Sequence, residues 1–117
     1  MLGCDVVNIA RIEKILAKSK QQFLEKIFTN LELDNLKDNP NSIAGYYAAK
    51  EAASKALGCG ISDECSFKDI FILKDEKGKP IINFSDKVIK NFNIKNAHLS
   101  ISHDGGVAMA VVIINFS

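Results

Sequence analysis

Net charge is almost missing from this chain. Fifteen Lys and Arg against fourteen Asp and Glu leave +1 over 117 residues, so no polyelectrolyte such as DNA is announced as a partner, and electrostatic recognition has to come from local patches. Cysteine is scarce too. Cys4, Cys59 and Cys65 are odd in number and show no CxxC or Cys/His ligand spacing, which argues against a disulfide framework and a structural zinc site. They read as reduced thiols of a cytoplasmic protein. No apolar run approaches the ~20 residues that span a bilayer. Asp5 stands where a signal peptide would be basic and then apolar. With only two prolines and no repeat, linker or low-complexity tract, residues 1–117 read as one domain, long enough to bury roughly two-thirds of its unfolded surface. Hydrophobic residues at 47% and charged ones at 25% are those of an ordinary soluble globule.

What is present centres on Asn41 to Ile61, NSIAGYYAAKEAASKALGCGI. Asn41 or Ser42 can cap a first helical turn and Gly58 can take the left-handed conformation that ends one, which predicts a helix over 42–57. Its middle is rich in alanine and carries Lys50, Glu51 and Lys55. Glu51 and Lys55, four apart, share a face, with Tyr47 one turn earlier. Alanines on both flanks allow another backbone or a ligand to come close.

Before this helix, MLGCDVVN reads as a strand, with Gly3, Asp5 and Val7 on one face and Leu2, Cys4 and Val6 on the other. A carboxylate there is costly to bury alone, so Asp5 either sits at a sheet end or meets a cation. From Ile9 to Ile27 apolar residues recur at helical spacing, at Ile9, Ile12, Leu16, Phe23, Leu24 and Ile27. Arg11, Lys14 and Lys18 line another face, either a solvated surface or a dock for an acidic protein. Thr29 and Glu32 have capping-box spacing and open a short helix to about Leu36. Further on, a strand over 67–74, the turn DEKGKP and a strand IINF make a hairpin. Ser85 and Asp86 can cap a helix that turns Val88, Ile89 and Phe92 inward, and strands at 97–103 and 107–116 close the chain. On the first of these Leu99, Ile101 and His103 share one face, Ser100 and Ser102 the other. The order β-α-α-α-β-β-α-β-β points to an α+β fold with a mainly antiparallel sheet packed with helices.

Four residues are candidates for chemistry: Asp5, Glu51, Lys55 and His103. Two carboxylates and a lysine suit Mg²⁺ and a phosphate group, because Mg²⁺ takes one or two carboxylates and completes its octahedron with phosphate and water. Forty-six positions separate Asp5 from Glu51, so only the fold can bring them together. His103 beside Asp104 invites a hydrolase reading with Cys59 or a serine as nucleophile, though no GxSxG elbow is present. Gly58-x-Gly60 is a poor nucleotide fingerprint, since it follows a helix where the dinucleotide motif follows a strand.

The opening GCDVVNIARI, the FTNLEL segment, YAAKEAASKALGCGI, the DEKGKP hairpin and the closing LSISHD together resemble the holo-[acyl-carrier-protein] synthases, small 4′-phosphopantetheinyl transferases of bacterial fatty-acid synthesis. The resemblance runs from about residue 3 to residue 113. It implies the 4′-phosphopantetheinyl transferase fold and transfer of the 4′-phosphopantetheine arm of coenzyme A to a serine of apo acyl carrier protein. Asp5 and Glu51 would be Mg²⁺ ligands by motif match, and Lys55 would steady the phosphate or the leaving-group charge. Lys50, Ser54 and His103 fall at family positions near the coenzyme. Either a metal-bound water or Glu51 would take the serine proton. The resemblance also implies a homotrimer with sites between neighbouring subunits, and a docking role for Arg11, with Lys14 and Lys18, toward an acidic carrier protein.

Two positions depart from the family pattern. Tyr46 stands where arginine is common, and Gln22 where another basic residue is expected ahead of Phe23. Each removes a charge and weakens or relocates a contact to coenzyme phosphate or carrier. The alternatives are a transferase serving a secondary-metabolite carrier, a binder of carrier protein or coenzyme A without chemistry, and the small Cys/His hydrolase.

Overall fold

Alternation along the first strand decides how the molecule is layered. In the computed structural model, which describes residues 1–117, β1 (Leu2–Asn8) buries Gly3 and Val7 and exposes Leu2, Cys4 and Val6. It pairs antiparallel with β5 (Val107–Phe116), which pairs antiparallel with β4 (Ile94–Asp104), giving a sheet of order β1-β5-β4. Chain order supplies the rest: α1 (Ile9–Ile27), α2 (Asn30–Asn35), α3 (Pro40–Leu57), a 3₁₀ turn at Phe67–Asp69, the antiparallel hairpin β2 (Ile70–Lys74) and β3 (Pro80–Phe84), and α4 (Asp86–Phe92). The α+β expectation therefore holds, with the hairpin forming a second, two-stranded sheet.

Helix α3 lies against the inner face of β1 and β5. Ala48, Ala49, Ala52, Ala53 and Ala56 are all buried there, with Ala108, Ala110 and Val112 of β5. Small residues let the backbones touch: a Cβ on Gly3 would lie 1.9 Å from the Ala52 carbonyl oxygen and 2.7 Å from the Ala56 nitrogen. Glycine is therefore the residue that permits this approach. The opposite face of the sheet is uncovered and apolar. Leu2, Val6, Met109 and Ile113 are 65%, 59%, 41% and 45% exposed, and register sets Leu2 against Ile113 and Val6 against Met109. No helix is long and apolar enough to cross a membrane.

Helix ends follow local chemistry, with some shifts from expectation. Asn8 caps α1 by accepting from the Arg11 amide, and the Thr29–Glu32 capping box opens α2. Gly58 ends α3 at φ 83°. The start of α3 is earlier than residue 42: Asn39 is the cap and Pro40 the first helical residue, where a missing N–H costs nothing. Helix α1 is kinked at Ser19, whose φ −152° and ψ 55° are not helical. The strand expected from 67 begins at 70 because Ser66 and Asp69 bond each other and wind Phe67–Asp69 into a 3₁₀ turn. Ile89, expected inward, is 38% exposed, since the short α4 turns Val88 into the core and leaves Ile89 at its edge.

A buried ion pair ties these elements together. Lys50 of α3 and Glu32 of α2 are both buried, Nζ to Oε1 2.7 Å. The Lys50 ammonium also donates to the carbonyls of Ile27 at 2.8 Å and Phe67 at 3.0 Å, and lies 4.9 Å from the centre of the Phe28 ring. Glu32 Oε1 accepts from the Thr29 amide and Oε2 from the Ile72 amide. Burial pushes the Lys50 ammonium down, and Glu32 opposes that. The pair thus joins α1, α2, α3, the 3₁₀ turn and β2.

Candidate active site

Asp5 and Glu51 come to line one cavity because β1 and α3 pack together in backbone contact. Two residues beyond Gly3 on the same strand face, Asp5 reaches the rim of α3, where Lys55 pairs with it: Nζ is 2.9 Å from Asp5 Oδ1 and 3.3 Å from the Cys4 carbonyl. The Asp5 side chain is 15% exposed and that of Lys55 54%, so the carboxylate is held in place while the ammonium stays accessible to solvent. The hydrogen bond to Asp5, and then its charge, push the Lys55 ammonium up. One turn before Lys55, Glu51 is half-buried and belongs to none of the molecule's salt bridges.

Asp5, Arg11, Tyr47 and Glu51 line one cavity of about 230 Å³, floored by Val7 and Ile12. Burial, then the neighbouring Glu51 carboxylate, pushes the Tyr47 phenol up. Its ring stands between Phe23 of α1 and Phe67 of the 3₁₀ turn, with centroids 5.8 and 5.6 Å away. No cluster of three or more His, Cys, Asp or Glu side chains gathers in the chain, so a cage of the zinc or calcium kind is not formed by one chain. Two carboxylates on one wall fit Mg²⁺, which keeps waters and takes its remaining ligands from phosphate.

The other expected site residues lie elsewhere. His103 is exposed at the end of β4 and lines a different cavity, about 470 Å³, with Glu13, Asn41 and the Asp104–Gly106 turn. Ser54 is buried and its hydroxyl donates to the Glu51 carbonyl at 2.7 Å, within its own helix. Lys50 has no exposed surface, and its ammonium makes three bonds, to Glu32, Ile27 and Phe67, so all its donors are used within the chain. Of the basic stripe, Arg11, Lys14 and Lys18 are all exposed, and Arg11 alone reaches the carboxylate cavity. The departure at Tyr46 puts a buried ring in place of a charge, its phenol pushed up by burial and then by Glu32, while Gln22 is exposed.

The hydrolase alternative loses its geometry. Neither cysteine nor serine lines the His103 cavity, the Cys59 thiol points at the Ser54 carbonyl 3.9 Å away, and burial, with Cys59 nearby, pushes the Cys65 thiol up to about 12. Sequence reasoning missed Glu32, whose capping-box spacing already explained it locally, and under-used Tyr47, whose place one turn before Glu51 was visible.

A family model described as the 4′-phosphopantetheinyl transferase superfamily matches residues 1–112. The chain belongs to that superfamily. Within it the chain is an enzyme of the holo-[acyl-carrier-protein] synthase family. It is 55% identical to the holo-[acyl-carrier-protein] synthase of Campylobacter lari over 97% of each chain, and 52% identical to that of Campylobacter fetus over 97% of this chain and 98% of the other. The crystal structure of the Helicobacter pylori synthase in complex with coenzyme A is similar at TM-score 0.95 and 48% identity, covering 98% of this chain and 100% of that one. A Bacillus anthracis synthase solved with CoA (3′,5′-ADP) follows at TM-score 0.83 and 39% identity, over 99% and 96%. Asp5 and Glu51 therefore stand in a fold shared from end to end with these synthases.

Proposed function

We propose that this chain transfers the 4′-phosphopantetheine group of coenzyme A to a serine of apo acyl carrier protein, in the service of fatty-acid synthesis in the cytoplasm. The observation that carries the reading is the single cavity holding Asp5, Glu51 and Arg11, with Lys55 on Asp5 at its rim. Asp5 and Glu51 would hold Mg²⁺, which when bound neutralises negative charge on the pyrophosphate oxygens. Lys55, cationic and solvent-accessible at the same rim, attracts the pyrophosphate and the charge that develops on the departing bisphosphate. The serine oxygen forms a new bond to the phosphorus that bears the pantetheine arm, and the bond from that phosphorus to the adenosine 3′,5′-bisphosphate breaks. The serine proton must go to a base. Either Glu51, the cavity carboxylate with no ammonium on it, or a water in the cavity would accept it.

Arg11 at the cavity, with Lys14 and Lys18 further along α1, would draw an acidic carrier toward the site. The uncovered apolar face of β1 and β5 supports a homotrimer, since exposed apolar sheet faces mark association surfaces. Assembly would also let His103 of one chain reach the carboxylate cavity of its neighbour, since within one chain His103 and the two carboxylates line different cavities.

The test is intact-mass spectrometry of apo acyl carrier protein after incubation with this protein, coenzyme A and Mg²⁺, beside a chelator control. A gain of one phosphopantetheine arm that disappears with chelator is expected. No gain from a folded protein would sink the reading.

A further inference from the structure

The wall of the carboxylate cavity contains a group to which no role has been given. Tyr47 stands one turn before Glu51 on α3, and both line the cavity. Side chains on a helix lean toward its N-terminus, so the Glu51 carboxylate leans back over the turn that carries Tyr47. The ring is not free to swing away, being flanked by Phe23 from α1 and Phe67 from the 3₁₀ turn. A neutral phenol is a donor and an ionised carboxylate only an acceptor.

We propose that Tyr47 is a positioning residue: its hydroxyl donates to one carboxylate oxygen of Glu51 and leaves the other turned to a divalent cation shared with Asp5. The inference rests on the metal reading given above and adds to it the group that orients one ligand. A phenol carries its proton at neutral pH, so the hydroxyl is available as a donor. Ligand carboxylates held by an outer hydrogen bond bind metal more tightly, because their orientation is set before the ion arrives. Two aromatic clamps from separate elements give that orientation a rigid support.

Tyr47→Phe removes the hydroxyl and keeps the ring between its two neighbours. Mn²⁺ binding, followed by electron paramagnetic resonance with coenzyme A present and no carrier, is expected to weaken about tenfold, with the Tm of the metal-free protein unchanged. Glu51→Gln is run beside it and should weaken binding further. If Glu51→Gln loses Mn²⁺ while Tyr47→Phe binds as well as wild type, the positioning role is overturned and the metal reading stands. If Glu51→Gln binds as well as wild type, or wild type binds no Mn²⁺, the metal reading falls and the role of Tyr47 with it. A Tyr47→Phe protein with a lowered Tm and unchanged Mn²⁺ affinity assigns the hydroxyl to structure and overturns the proposal.

Discussion

At the scale of single residues, Lys50 and Lys55 show what spacing on a helix can and cannot reveal. Both lie in the same alanine-rich stretch, and both matched family positions near a coenzyme. One is buried on Glu32; the other reaches Asp5 at an open rim. A helical wheel assigns faces, but the partner that claims Lys50 comes from another helix and is already spoken for by its own capping box. Asp5 was more legible, because a carboxylate on the strand face of Gly3 had either to sit at a sheet end or to meet a cation, and Lys55 is that cation. Replacing Lys50 with Met leaves Glu32 buried and uncompensated, and is expected to destabilise the fold by about 3–5 kcal/mol in urea unfolding. The folded fraction should keep its Michaelis constant for coenzyme A. A well-folded Lys50→Met protein that had lost affinity for coenzyme A would restore the ligand role to this lysine.

At the scale of elements, most boundaries were readable and the exceptions have physical causes. The N-terminal extension of α3 follows from Asn39-Pro40, a cap and first-turn proline that the sequence does display. The Ser19 kink has no proline or glycine to announce it. It lies beyond Lys18, and Arg11 at the start of the helix is the basic residue that reaches the cavity. If the exposed basic stripe docks an acidic carrier, Arg11→Glu should raise the Michaelis constant for carrier protein more than that for coenzyme A in steady-state assays; equal increases would remove the docking assignment.

The junction of the 3₁₀ turn with α4 makes another test. Asp69 is pushed up by burial, but the Ser66 amide, the Ser85 and Ser66 hydroxyls and the Lys87 ammonium hold it down at about 2, against an ordinary 3.8. Depressed in the folded state, this carboxylate stabilises the protein above about pH 4 and loses that contribution as pH falls toward 2. Asp69→Asn should cost about 2 kcal/mol at neutral pH. In urea titrations the difference from wild type should shrink between pH 4 and 2.

At the scale of the whole molecule, the α+β order was legible because apolar period changes cleanly from two to three and four along the chain. Which strands neighbour one another was not, since the pairing of β1 with β5 joins the two ends of the sequence. Nor did the sequence separate the cavity of Asp5 and Glu51 from that of His103. The uncovered face of β1 and β5 gives this a consequence for association. Met109→Lys sets an ammonium among Leu2, Val6 and Ile113, and size-exclusion chromatography with light scattering should then report a mass nearer the chain's 12.8 kDa than three times that value. An unshifted mass would mean that another surface holds the copies together.

The two cavities lead to one more expectation, which concerns mixtures. If each working site takes its carboxylates from one chain and its histidine from the next, a Glu51→Gln chain and a His103→Ala chain carry complementary defects. Either preparation alone is inactive or nearly so. Unfolded together and refolded, they should recover activity through the junctions where both halves are sound, so that two disabled proteins rescue one another.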